Sequence, residues 1–154
     1  MSYEAVLLRL GAAVGIGALI GLDREIRGKA AGLRTLALVS LGSAIFIVET
    51  LDRTGAVYNE STSHVIQGII TGVGFLGAGS IMRGTSDESI RGLTTAASIW
   101  LAAAAGIACG LANWPLVVVG SCLGVLVLVI TPVERAIHNR RRTDRKPDLR
   151  DVAS

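Results

Sequence analysis

Five apolar stretches, residues 5–22, 35–51, 65–82, 93–112 and 115–133, dominate the chain, and each approaches the length that crosses a bilayer. About 20 mostly apolar residues span the roughly 30 Å of hydrocarbon. The last three stretches contain no Asp, Glu, Lys or Arg. A backbone in hydrocarbon must satisfy its own hydrogen bonds, and none of the stretches alternates polar with apolar residues as a strand would. The sequence therefore predicts an all-α, polytopic membrane bundle of five transmembrane helices. In 154 residues this leaves room for one membrane domain, residues 1–133, followed by a basic tail, residues 134–154.

The connections between the stretches differ sharply in positive charge. Arg24, Arg27, Lys29 and Arg34 lie in or beside the first, Arg83 and Arg91 flank the third, and Arg135, Arg140, Arg141, Arg142, Arg145, Lys146 and Arg150 occupy the tail. The second connection offers Arg53, and the turn at Asn113 and Trp114 offers none. Cytoplasmic connections retain Lys and Arg, so the N-terminus is expected outside and the C-terminus in the cytoplasm. The tail is expected to lie near anionic lipid. A cleaved signal peptide is not expected, because no positive region precedes the first stretch and no small-residue cleavage site follows it.

A net charge of +3 would suggest nucleic acid in a soluble protein. Here topology and contact with anionic membrane lipids account for it, and no nucleic-acid partner is expected. Cys109 and Cys122 lack a second Cys or His at ligand spacing and read as small packing residues. His64 and His138 are isolated, in a loop and in the tail. No metal ion or cofactor is expected, and no His at membrane depth could activate a Ser or Thr nucleophile, so an enzyme is not expected.

The 19 glycines are concentrated in the apolar stretches. Small residues four apart let helix backbones approach closely in lipid. Gly17 with Gly21 and Gly68 with Gly72 are such pairs, as are Gly11 with Gly15, Gly106 with Gly110 and Gly120 with Gly124. They predict close packing within the chain, and their faces also admit a homo-oligomer. The fourth stretch, rich in Ala, should be enclosed by its neighbours, and the fifth, rich in Val and Leu, should face lipid. Gly72, Gly74 and Gly77 spell the GxGxxG of dinucleotide-binding folds, but no strand precedes them and the stretch is uncharged, so that reading is rejected. Residues 72–79, ending at Gly79, are expected to form a tightly packed or locally irregular helix.

Most of the charged and hydroxyl-bearing motifs fall at one end of the bundle. Asp23, Arg24 and Glu25 close the first stretch, Arg34 and Thr35 open the second, Arg83 closes the third, and Arg91, Thr94 and Thr95 open the fourth. The inward-facing N-termini of the second and fourth helices carry unsatisfied backbone donors and a positive dipole end, an arrangement that attracts anions. Asp23 and Glu25 sit at an unfavourable C-terminal dipole end and need cationic partners, with Arg34 and Arg91 expected and Asp23–Arg34 the expected pair. Three readings stay open: a self-neutralised salt-bridge network, a site for a lipid phosphate or a partner's acidic group, and a Mg²⁺ site built from Asp23, Glu25, Asp87 and Glu88. At the opposite end, Arg9 lies six positions after Tyr3, about 9 Å along a helix. A lone charge at that depth is costly, so Arg9 is expected either to pair with Glu49 of the second helix or to snorkel to the headgroups.

Four segments carry a family resemblance: GALIGLDRE at 17–25, AGLRT at 31–35 with GSAIF at 42–46, GIITGVGFLGAGSIMR at 68–83, and RGLTTAASIW at 91–100. In this order they resemble the MgtC/SapB family of bacterial inner-membrane proteins, over roughly residues 5–130. The resemblance implies a five-helix membrane domain with a cytoplasmic C-terminus. It also implies a non-catalytic role tied to magnesium limitation, acid stress and, in pathogens, survival inside host cells, exerted on other inner-membrane proteins rather than by moving magnesium. Longer members continue into a cytoplasmic ACT-like domain, and this chain, with its basic tail, is expected to be a short member. The loop before RGLTT is longer than in the family pattern, with residues 85–89 inserted between Arg83 and Ile90. The alternative function is an ion transporter or channel for magnesium or protons, against which stands the lack of acidic residues near the bilayer centre.

Overall fold

A computed structural model of the protein describes the backbone of residues 1–54, 59–83 and 90–143, and the side chains of residues 1–51, 59–81 and 92–130. Among the described residues the chain forms helices α1 (Tyr3–Ile26), α2 (Leu33–Thr54), α3 (Glu60–Gly79), α4 (Leu93–Gly110) and α5 (Trp114–Thr143). Three segments, Tyr3–Ile26, Leu33–Leu51 and Leu93–Gly110, are long and apolar enough to cross a membrane, and Trp114–Ile130 is a shorter apolar helix. The all-α expectation needs one addition. Two short strands, β1 (Met82–Arg83) and β2 (Ile90–Arg91), pair antiparallel, with Met82 opposite Arg91 and Arg83 opposite Ile90. α5 continues past residue 133, where the tail was expected to begin, as far as Thr143, and residues 144–154 lie outside the described residues.

Local chemistry sets the helix ends. The Ser2 hydroxyl accepts from the Ala5 amide at the start of α1, and Asn59 Oδ1 accepts from the Thr62 amide at the start of α3. α1 ends where Gly28 adopts φ +63°, with Gly28 N donating to Glu25 O and Lys29 N to Arg24 O. This paired pattern closes the last orphan carbonyls and reverses the chain toward α2. The same pattern ends α4, where Ala112 N donates to Cys109 O and Asn113 N to Ala108 O. There the left-handed position is taken by Ala112 at φ +55°.

α2 is the axis of the bundle, gripped from two sides by glycine pairs. A Cβ on Gly17 would lie 2.5 Å from Leu36 O, and one on Gly21 would lie 2.5 Å from Leu33 Cα, so α1 touches α2 backbone to backbone. From the other side Gly106 meets the Ser40 carbonyl, and a Cβ on Gly110 would lie 2.7 Å from Ile47 Cβ. Around these seams Ile20, Leu36, Val73, Ile99, Ala102 and Leu128 form one core cluster. Ala13, Ala44, Ala108, Cys109 and Val117 form a second toward the other end.

α4 is the most enclosed helix, with 56% of its span buried against 22% for α1. α5 leaves Leu116, Val119, Leu123 and Val127 exposed, as a helix facing hydrocarbon would. Both outcomes follow from side-chain size, since alanines admit close neighbours and branched chains fill lipid contact.

α3 departs from expectation. It is a regular helix through Gly79, neither irregular nor tightly packed. Of its glycines only Gly77 meets a neighbour, with Ala96 Cβ 3.6 Å from where its own Cβ would be. Gly68, Gly72, Gly74 and Gly79 have nothing within 4 Å of that position. The reason is placement: α3 touches the bundle along one edge, against α4 and α2, and turns the rest of its surface outward. Gly11, Gly15 and Gly120 likewise face open space. His64, expected in a loop, sits in the second turn of α3, its Nε2 3.6 Å from Glu60 Oε1.

Candidate functional site

The ends of α1, α2 and α4 converge, and the motif residues expected to cluster there do so in part. Arg24, on the last turn of α1, turns inward and is 3% exposed. Its Nη2 donates to Thr95 Oγ1 at 2.5 Å, joining α1 to the first turn of α4. Its Nε is buried without a hydrogen-bond partner. Arg24 is thus a buried cation whose side chain donates to a neutral hydroxyl, in a place where burial makes charge expensive.

The carboxylates beside it are otherwise engaged. Glu25 Oε2 accepts from the Leu33 amide at 2.8 Å, so Glu25 supplies the N-terminal carboxylate that α2 lacks in its own first turn. Gly32 accommodates this: a Cβ there would lie 2.8 Å from the same Oε2. Asp23 Oδ1 accepts from Arg27 Nε at 2.8 Å, one turn along the same helix. The expected Asp23–Arg34 pair is therefore replaced by Asp23–Arg27, because an i, i+4 partner is already in reach while Arg34 points to the surface, exposed together with Thr35. Arg27 was the residue missed, and its four-residue offset from Asp23 was the signal that could have found it.

The start of α4 has a different character. Its N-cap is Gly92, at φ +98° and with no side-chain cap bond. Glycine is required there by the backbone angle and by the Ser80 carbonyl, which occupies the place of any Cβ. Thr94 is exposed and Thr95 buried. Ser98 Oγ donates to Thr94 O and Thr95 O, both at 2.9 Å, spending its proton inside the helix. Arg83 pairs with Ile90 and Arg91 with Met82 across the β1–β2 ladder, their side chains outside the described residues, as are Asp87 and Glu88. Of the carboxylates imagined around Mg²⁺, the two that are described are thus spent on Arg27 and on the Leu33 amide.

At the other end, Arg9 Nη1 donates to Gly110 O at 2.7 Å. This contact takes the place of the expected Arg9–Glu49 pair. The last carbonyls of α4 are orphan acceptors at the negative end of a helix dipole, and Arg9 reaches one of them. Ser40 was also missed. It is fully buried where α1, α2 and α4 meet, its hydroxyl without a partner.

Comparison with known proteins adds identity to this geometry. The chain is 39% identical over 139 residues to YhiD of Escherichia coli (strain K12), by name a candidate magnesium transporter, covering 84% of this chain and 61% of that protein. It is 40% identical over 130 residues to the protein SrpB of Synechococcus elongatus, covering 78% and 71%. It is 44% identical over 108 residues to the protein MgtC of Salmonella typhimurium, covering 70% and 44%. The chain therefore spans less than two thirds of YhiD and less than half of MgtC. No solved structure matches. The model of the MgtC family matches residues 10–139, which hold α2, α3 and α4 whole and most of α1 and α5, with the Gly17 and Gly106 seams and the Arg24–Thr95 junction, and the chain belongs to that family.

Proposed function

We propose that this chain is a five-span inner-membrane protein, N-terminus outside and C-terminus cytoplasmic, that acts without catalysis by docking helix to helix with other membrane proteins during adaptation to magnesium limitation, acid stress or intracellular life. The open face of α3 carries this reading. Gly68, Gly72 and Gly79 fall on one exposed side of α3 with nothing within 4 Å of a Cβ position, a strip on which a second helix can lie at backbone distance. Gln67 and Thr71 share that exposed side, and the Thr71 hydroxyl is spent on Gln67 O at 2.9 Å. An amide facing hydrocarbon is unfavourable and gains from a partner's hydrogen bond. The non-catalytic part is supported by the hydroxyls of Ser43, Thr50 and Thr71, each donated to a carbonyl one turn back.

The test is a photo-crosslinking amino acid placed in the full chain in cells, at Phe75 on α3 and at Leu123 on α5. Discrete protein adducts from Phe75, and none from Leu123, support docking through α3. Absence of protein adducts at Phe75 sinks it. The second reading, ion transport, is favoured by the name of the relative YhiD. Magnesium entering liposomes that contain only this chain would establish that reading instead.

A further inference from the structure

We infer that the α1–α4 junction is a binding site for a phosphate oxyanion, held by the Arg24 guanidinium and the N-terminus of α4. Three observations converge on it. Arg24 is 3% exposed, its Nε has no partner, and its Nη2 rests on the neutral Thr95 hydroxyl. A buried guanidinium is stable when it meets an anion that takes several of its five donors. The second observation is the helix end it touches: α4 begins at a glycine with no side-chain cap bond, and Arg24 meets its first turn at Thr95, beside the positive end of the helix dipole. Positive end against positive side chain is repulsive unless something negative lies between.

The third is the contrast with α2. There the same problem is solved within the chain, by Glu25 reaching the Leu33 amide. At α4 no described carboxylate does this: Glu25 is committed to α2 and Asp23 to Arg27. The turn between α1 and α2 leaves those two carboxylates against Arg24, Arg27, Lys29 and Arg34, an excess of positive charge. A tetrahedral phosphate group has the acceptors to take Arg24 Nε and α4 amides together. Arg24 lies two residues before the end of a helix long enough to span a membrane, which is the level of lipid phosphodiesters, and free phosphate reaches the same level from water.

The test uses the full chain, purified and reconstituted in nanodiscs of phosphatidylcholine with or without phosphatidylglycerol, as wild type and as Arg24→Gln, Arg24→Lys and Arg34→Gln. Native mass spectrometry and thermal unfolding read bound lipid and protection, and inorganic phosphate is titrated into the pure phosphatidylcholine discs. Protection of wild type by phosphatidylglycerol assigns the site to a lipid headgroup, and protection by inorganic phosphate alone assigns it to the free ion. In either case Arg24→Gln should weaken binding about tenfold or more, Arg24→Lys less, and Arg34→Gln little. Equal lipid retention and equal protection in wild type and Arg24→Gln overturn the proposal, as does the absence of both effects in wild type. Should Arg24→Gln fail to fold, photoreactive phosphatidylglycerol is crosslinked to wild type. Adducts on the end of α1 or the first turn of α4 support the site, and adducts confined elsewhere overturn it.

Discussion

The carbonyl oxygen of Ser40 in α2 occupies the place that a side-chain carbon on Gly106 of α4 would need. Gly17 of α1 closes on the same residue, with Ser40 Cβ 2.9 Å from where its own Cβ would be, so three helices meet at one serine. Gly106→Ala must push α4 off α2, and overpacking of this kind costs about 1–3 kcal/mol. Gly72→Ala meets nothing and gains helix propensity, up to about 1 kcal/mol. Unfolding of each variant in detergent micelles should show a clear loss for the first and no loss for the second. A stable Gly72→Ala that has lost its crosslinks at α3 would place the role of that glycine in docking rather than folding.

The Ser40 hydroxyl is buried and without a partner. Ser40→Ala keeps the close approach and removes a desolvated polar group. It should be neutral or more stable by up to about 1 kcal/mol. A loss above about 1 kcal/mol in the same unfolding assay would mean that the hydroxyl is used.

These positions also mark where sequence reading worked and where it stopped. Five apolar stretches announced five helices because period and length are local properties. Gly17 and Gly21 proved to be seams, but the identical spacing at Gly68 and Gly72 is open. Spacing tells which face can be approached closely and not which neighbour approaches it. The Asp23–Arg27 bond was readable from one helix, whereas Glu25 and Arg9 bond to a backbone amide and a backbone carbonyl, which no side-chain pattern announces. Burial of Arg24 depends on the crossing of α1 and α4, a tertiary fact absent from either segment alone.

Ala112 holds the left-handed position between α4 and α5 at φ +55°, which costs an L-residue roughly 1–2 kcal/mol. Ala112→Gly removes that strain while adding freedom to the unfolded chain, worth about 0.4–1 kcal/mol in the other direction. The net expectation is a gain of about 0.5–1 kcal/mol. A measured loss would show that the Ala112 methyl is used in packing near Trp114.

Glu25 serves α2 as a cap supplied from another helix. Glu25→Gln keeps the acceptor oxygen and removes the charge, so the cost should be smaller than that of Glu25→Ala, which is expected near 0.5–2 kcal/mol. Equal losses would show that the charge alone matters, no loss in Gln that the hydrogen bond alone does, and an intermediate loss for Gln would resolve the share of the dipole. Amide exchange at the start of α2 should rise in both variants.

Arg9 tests how a charge is held within a helix long and apolar enough to cross a membrane. Its Nη1 bonds to the carbonyl of Gly110, the last residue of α4, at 2.7 Å. Bonds to charged groups contribute about 1.5–3 kcal/mol, and here the acceptor is backbone, so no side-chain substitution removes it. Arg9→Lys keeps the charge but has a shorter, single-point donor and should lose part of that amount, while Arg9→Gln should lose more. Exchanging the charges, as Arg9→Glu with Glu49→Arg, should not restore stability, because a glutamate at position 9 would face the negative end of α4. Recovery in the double exchange would reinstate an Arg9–Glu49 pair, and its absence, together with a graded Lys and Gln series, would fix α1 to the end of α4.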